Sequence, residues 1–248
     1  MKKFVDINSH IIPEIDDGPA NFEESLEILS LAEKDGISKI IATPHLENLL
    51  INNKNYNDVE KYVEKLNNLV HENDININIF SGISLNFNEK TNEILDIEGH
   101  NFSLNKTRFY LLETTFNEFN YKHMKIIEKF RDKRLYPVLS HPERNIFLRK
   151  NSKLIKEIIN QGGLIQVSSD SIIGNNGEPV KKFALDIIDK KLATCISSEI
   201  HNKSKNLYPN LKLSYEIVNE LFGKNISDKL FITNPQLILD GHLPKLED

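Results

Sequence analysis

The sequence holds a single cysteine among its 248 residues. That excludes an internal disulfide and, with no CxxC pair, a thiolate zinc site. Cys195 lies in the apolar run Leu192-Ala193-Thr194-Cys195-Ile196 and is expected to pack as a small hydrophobe. Long apolar stretches are lacking too. No segment approaches the roughly 20 apolar residues of a membrane span, and Met1-Lys2-Lys3-Phe4 runs straight into polar Asp6 and Asn8, without the apolar stretch of a signal peptide. The cytoplasm is the expected compartment. Basic charge is not in excess: the formal net charge is −5, whereas phosphate backbones select a basic surface, so nucleic acid is not the expected partner. The phosphate-loop pattern G-x-x-x-x-G-K-[ST], the dinucleotide fingerprint G-x-G-x-x-G and the nucleophile elbow G-x-S-x-G are all missing.

What is present is an ordinary globular balance, 39% hydrophobic and 27% charged residues, in a chain long enough for one α/β barrel-type domain. Short β-branched runs alternate with longer stretches of helical period. Strands are expected near residues 4–7, 39–42, 77–80, 109–112, 137–139, 164–167 and 193–197, with a helix after nearly every one. Asn21 with Glu24 predicts the start of the first helix and Gly36 its end. Asn57 with Glu60 repeats the capping pattern ahead of a stripe of Val59, Tyr62, Val63, Leu66, Leu69 and Val70. Further helices are expected over 121–133, 152–161, 179–190 and 211–222. Seven such strands imply parallel pairing through right-handed crossovers, satisfied by an open sheet or a closed barrel. No linker divides the chain, so residues 1–248 are expected to form one domain. The polar stretches 46–56 and 169–178 are candidate loops beside a site.

Parallel α/β folds carry reactive groups on the loops after the strand C-termini. Just past the expected strands stand Asn8 and His10, His45, Ser84, Glu113, His141, and Glu199 and His201. Four of the eight histidines fall in this set. A lone histidine after a strand is usually structural, but four on loops that converge at one mouth are not readily explained that way. Imidazoles gathered with carboxylates suit Mn²⁺, Fe or Zn²⁺. Asp16-Asp17-Gly18 follows the first strand and offers a further carboxylate for the cluster, or else a turn with an Asx cap. Arg144, three residues past His141, is placed to meet a phosphoryl oxygen or to form a surface ion pair.

The ordered motifs resemble those of the polymerase and histidinol phosphatase (PHP) family. Val5-Asp6-Ile7-Asn8-Ser9-His10 with Asp16-Asp17-Gly18 is similar to its D-I-H-S-H…D-D-G opening. Thr43-Pro44-His45, Leu112-Glu113, Ser140-His141-Pro142-Glu143-Arg144 and Ser198-Glu199-Ile200-His201-Asn202 match its later motifs in order, and the likeness runs from about Phe4 to Leu239. The subgroup it looks most like is the bacterial manganese-dependent tyrosine-protein phosphatases of capsular and exopolysaccharide operons. This resemblance implies a distorted (β/α)7 barrel of PHP type with a metal centre that hydrolyses phosphotyrosine on a tyrosine autokinase of polysaccharide assembly. It also implies metal ligation by His10, Asp17, His45, Glu113, His141, Glu199 and His201, with His141 and Arg144 serving catalysis. The family pattern is altered at three positions: Asn8 stands for a histidine, Ser84 for a bridging glutamate and Glu199 for an aspartate. All three serve one metal position in that pattern, so one or two ions, Mn²⁺ first, are expected rather than three. A basic residue usual after the last histidine is matched only by Lys203 or Lys205. Three readings follow: a working phosphatase, a relative that binds a phosphorylated partner without cleaving it, and a small-molecule phosphoesterase.

Overall fold

The computed structural model describes residues 3–95, 100–202 and 208–245. Its strands are β1 (Phe4–Ser9), β2 (Ile37–Ala42), β3 (Asn78–Ser81), β4 (Ser84–Asn86), β5 (Phe109–Glu113), β6 (Tyr136–Ser140), β7 (Leu164–Ser168) and β8 (Cys195–Ser197). Every pairing is parallel, in the orders β1-β2-β3 and β4-β5-β6-β7-β8. Strands β3 and β4 are two halves of one interrupted stave. Gly82 N donates to Ala42 O at 2.9 Å and Ser84 N to Pro44 O at 3.1 Å, so the ladder beside β2 continues through the break. Here the chain needs glycine for closeness: a Cβ at Gly82 would stand 2.8 Å from Ile41 Cγ2.

The two sheets close on themselves at β8 and β1. His10 N donates to Ile200 O at 2.8 Å, Glu199 N to Asn8 O at 3.0 Å, and Ser9 pairs with Ile200 in a parallel bridge. Buried Asp6 clamps the same seam, accepting from Ser198 N at 3.2 Å and from the Ser198 hydroxyl. Burial pushes its carboxyl up to about 6, against the downward pull of the Ser198 hydrogen bonds. Counting β3 and β4 as one, seven staves make a closed, distorted (β/α)7 barrel. The expected fold class holds, and the choice between open sheet and barrel falls to the barrel.

Alternation along the strands sorts the core into two layers. Val5, Ile7, Ile41, Phe109, Leu111, Val138, Leu164 and Cys195 pack together as one buried cluster. Phe4, Ile40, Ala42, Tyr110, Leu112, Leu139, Ile165 and Val167 belong to the other, packed with helix residues such as Ile28, Leu66 and Ile127. Above the first layer the side chains turn polar, and the candidate site begins. Cys195 is fully buried, and burial pushes its thiol well above the usual range. Native protein should therefore resist a thiol reagent, and denaturant should release one reactive equivalent. Rapid labelling of the native chain would contradict this placement.

Helix α1 (Phe22–Asp35) begins at Asn21, whose side chain accepts from Glu24 N, and ends at Gly36 with φ 100°, as the sequence predicts. The next expected cap is displaced. Helix α3 (Tyr56–Glu72) is closed by Asn55 and Asp58, because Asn55 is the residue with extended backbone before the first turn, while Asn57 already lies inside it. The stretch expected as a loop over 46–56 contains helix α2 (Leu46–Ile51), anchored by buried Leu49. The second, over 169–178, contains a short helix, Ser169–Ile173, ended by Gly174 with φ 105°. Among the described residues, no helix is long and apolar enough to cross a membrane.

Candidate metal centre

The C-terminal strand ends bring the distant motifs to one place. His10, Asp17, His45, Glu113, His141, Arg144, Glu199 and His201 all line a single cavity of about 820 Å³. Glu113 is the last residue of β5, and His141 directly follows β6. His141 and Glu199 hold left-handed backbone, φ 37° and 53°, which is uncommon away from glycine and re-aims both side chains at the strand ends.

One half of the cavity is a quartet. One donor atom each from His10, Asp17, His45 and His201 lies within 4.8 Å of the other three. The rings of His10 and His201 stack at 4.0 Å, and His10 and His45 stand 4.4 Å apart. Hydrogen bonds fix which nitrogen faces inward. His10 Nδ1 is 2.7 Å from Asp16 Oδ2, and His201 Nδ1 is 2.6 Å from Glu199 O, which leaves each Nε2 as the donor atom for an ion. Burial, with the neighbouring His10, pushes His201 down to about 4, toward the neutral form that can bind a cation. Three imidazoles and one carboxylate fit Mn²⁺, Fe or Zn²⁺.

Asp16, the neighbour of the expected ligand Asp17, holds this quartet from behind. Besides His10 it accepts from His45 N at 3.1 Å and from Gly18 N at 3.0 Å. Opposed by burial but favoured by His10 and His45, its carboxyl is held at about 2. Only the order of two adjacent aspartates separates ligand from support, and pattern alone does not resolve that. Gly18 closes the turn so tightly that a Cβ would sit 2.5 Å from His10 O. Gly18→Ala should therefore displace Asp16 and Asp17 and weaken metal affinity by about tenfold or more, the range for lost support behind a ligand. Titration of metal-free protein with Mn²⁺ checks it, and an unchanged affinity would show that the turn yields without moving the aspartates.

The other half holds Glu113, His141, Glu199 and Arg144. His141 Nε2 stands 3.0 Å from Glu199 Oε1 and 3.4 Å from Glu113 Oε1, and Arg144 Nη1 donates to Glu199 Oε2 at 3.2 Å. His45 Nδ1, 3.1 Å from Glu113 Oε2, links the halves. Burial opposes charge on all of these groups, yet their mutual attraction wins. Glu199, beside His141 and Arg144, is held at about 2. Glu113, bonded to His141 and His45, lies well below the usual carboxylate range. His141 is raised to about 10, mainly by Glu199 and Glu113, and His45 to about 9, first by Glu113. This arrangement attracts positive charge, as a cation site does.

Two of the altered positions are held by hydrogen bonds at the site, Asn8 in the cavity lining and Ser84 against Glu113. Asn8 Nδ2 donates to Ser140 Oγ at 2.9 Å and to Gln166 Oε1 at 3.1 Å, while Asn8 Oδ1 accepts from Thr43 Oγ1 at 3.2 Å. Ser84 Oγ donates to Glu113 Oε2 at 3.1 Å. Glu89 does not reach in to replace the missing glutamate: it is 67% exposed and pairs with Lys122 at 3.1 Å. Lys203 and Lys205 lie outside the described residues. The cavity wall also includes Phe116, Asp170, Asn175, Asn176, Tyr208 and Asn210, none of them anticipated individually, although the stretch 169–178 was a candidate to border the site.

Residues 4–240 match the family model described as "Capsular polysaccharide synthesis, CpsB/CapC". The chain belongs to the CpsB/CapC family. Among its relatives is a putative tyrosine-protein phosphatase CapC of Staphylococcus aureus, 32% identical over 246 residues, covering 94% of this chain and 92% of that protein. The tyrosine-protein phosphatase YwqE of Bacillus subtilis is 29% identical, covering 95% of this chain and 91% of its own. A solved structure from work on YwqE and on CpsB of Streptococcus pneumoniae, described as unique metal-dependent tyrosine phosphatases, superimposes with a TM-score of 0.89 at 27% identity, covering 98% of this chain and 97% of its own. The PHP-type resemblance is thus borne out at family level. The matches to CapC and YwqE each cover more than nine tenths of both chains.

Proposed function

We infer that this chain is a metal-dependent phosphatase acting on phosphotyrosine in a polypeptide, a bacterial tyrosine autokinase of capsule assembly being the expected partner. The observation that carries the reading is the quartet His10, Asp17, His45 and His201 beside Arg144 in one open-mouthed cavity. The quartet would hold one ion, and Glu113, His141 and Glu199 a second, with Mn²⁺ the first choice and Fe or Zn²⁺ the alternatives. Bound metal supplies Lewis-acid polarisation of the phosphoryl group and acidifies water. Arg144 contributes a guanidinium, pre-oriented by Glu199, to neutralise phosphoryl oxygens as charge develops. Asp16 orients His10, and Glu113 orients His45. A third ion has poor support, since the Asn8 amide is tied into the barrel and Ser84 offers only a hydroxyl, bonded to Glu113.

Those same engagements favour a second reading, a relative that binds phosphotyrosine without cleaving it. Hydrolysis of a phosphotyrosine peptide by Mn²⁺-loaded protein, with a chelator control, separates the two. Chelator-sensitive turnover is expected. Folded, metal-loaded protein that binds the peptide and releases no phosphate would establish the second reading. Turnover confined to sugar or nucleotide phosphates would replace the substrate class, since a fold alone does not fix it.

A further inference from the structure

The cavity wall is polar almost throughout. Leaving aside the imidazoles, Phe116 and Tyr208 are the aromatic residues that line it among the described residues. Phe116 sits three residues past Glu113 on the loop after β5 and is 48% exposed. Its ring lies over Arg144, the guanidinium carbon 4.6 Å from the ring centroid, and is 6.1 Å from the His141 ring. Backbone contacts fix the loop: Phe116 O accepts from Ile146 N at 2.7 Å, and Asn145 Nδ2 donates to Thr115 O at 2.6 Å. An apolar ring is therefore held against the cation while much of its surface remains open.

We propose that Phe116 determines specificity for aromatic phosphomonoesters, receiving the ring of the ester while the adjoining Arg144 takes the phosphoryl oxygens. The inference rests on the phosphatase reading above and adds to it the group that recognises the leaving side. Phosphotyrosine carries its phosphoryl group directly on a ring, so a phosphoryl group held at Arg144 brings that ring alongside Phe116. Offset or edge contact between the two rings is favourable, and it removes apolar surface from water. Phosphoserine carries the group on a single methylene. Its peptide backbone would have to enter the cavity, and polar amide groups would meet the apolar ring without hydrogen-bond partners. Tyr208, 59% exposed, offers a second aromatic surface to the same ester.

A competing role for Phe116 is simply to hold Arg144 in place, and the two roles differ in what they predict. The test uses two peptides of identical sequence, one with phosphotyrosine and one with phosphoserine, against metal-loaded wild type, Phe116→Ala and Phe116→Tyr. Phosphate release and peptide dissociation constants are measured in parallel, with metal content as a check. For Phe116→Ala, the expected result is a fall in kcat/KM on phosphotyrosine of about tenfold or more, carried mostly by KM, the scale of one lost apolar subsite contact. The phosphoserine peptide should change little, and Phe116→Tyr should keep the preference. An equal fall on both peptides would reduce Phe116 to a support for Arg144 and overturn the proposal, as would an undiminished preference in Phe116→Ala. If wild type releases no phosphate yet binds the phosphotyrosine peptide more tightly, and Phe116→Ala abolishes that preference, the phosphatase reading fails while the recognition role stands.

Discussion

Replacing His141 by alanine should abolish phosphotyrosine hydrolysis and lower bound metal, with a larger loss than the roughly 10–100-fold typical when only a partner behind a ligand is removed. His141 is 2% exposed and stands between Glu199 and Glu113. Its removal takes away a donor and also the largest charge holding Glu199 ionised, leaving Arg144 to stabilise that carboxylate from one side only. Buried Glu199 and half-buried Glu113 would then face each other, and the proton that one of them recovers would cost the centre a further ligand. His123→Ala is the matching control. His123 is another buried histidine, but it stacks on Phe119 and meets Phe87 edge-on, and its Nδ1 accepts from Asn120 N. That variant should lose stability while keeping its metal. Equal metal content in the His141 and His123 variants, or retained turnover in His141→Ala, would remove His141 from the centre.

The contrast between these two histidines shows what could be read without coordinates. His141 follows the short apolar run Pro137-Val138-Leu139, and a residue after a strand of a parallel sheet projects at the reactive end wherever that strand stands in the barrel. His123 falls inside a helical stretch and carries no such signal. The strands are legible for the same reason, since a continuous apolar run such as Phe109-Tyr110-Leu111-Leu112, buried on both faces, leaves a local pattern. The break between β3 and β4 was not, because Gly82 answers to Ile41, a contact between neighbouring staves that sequence proximity does not reveal. Closure of the barrel was equally hidden: it depends on Asp6 meeting Ser198 across the whole length of the chain. Support residues form the remaining gap. Asp16, Gln166 and Thr43 act through hydrogen bonds between strands, so nothing in their own neighbourhood marks them.

Placing a histidine at position 8, as the PHP resemblance implies for a fuller centre, should weaken the protein rather than complete the centre. Asn8 is 2% exposed, and its amide joins four strand ends: it donates to Ser140 and Gln166 and accepts from Thr43, beneath the cavity. Imidazole has one nitrogen to donate and one to accept in its neutral form, and a ring cannot reproduce the three directions of the amide. Gln166 would remain bonded to the Val167 carbonyl through Nε2 but lose the donor to its Oε1. An unsatisfied buried polar group costs about 1–3 kcal/mol, and a larger ring forced into a packed layer adds about 1–3 kcal/mol more. Asn8→His should accordingly lower the unfolding free energy by about 2–6 kcal/mol, read from urea denaturation, with no gain in bound metal. Ser84 still leaves the bridging carboxylate absent, and Glu199 stays paired with Arg144, so the new imidazole would find no ion to share. A variant that binds one more ion at undiminished stability would show instead that the barrel floor can release position 8, and that the substitution to asparagine is all that separates this chain from a fuller metal centre.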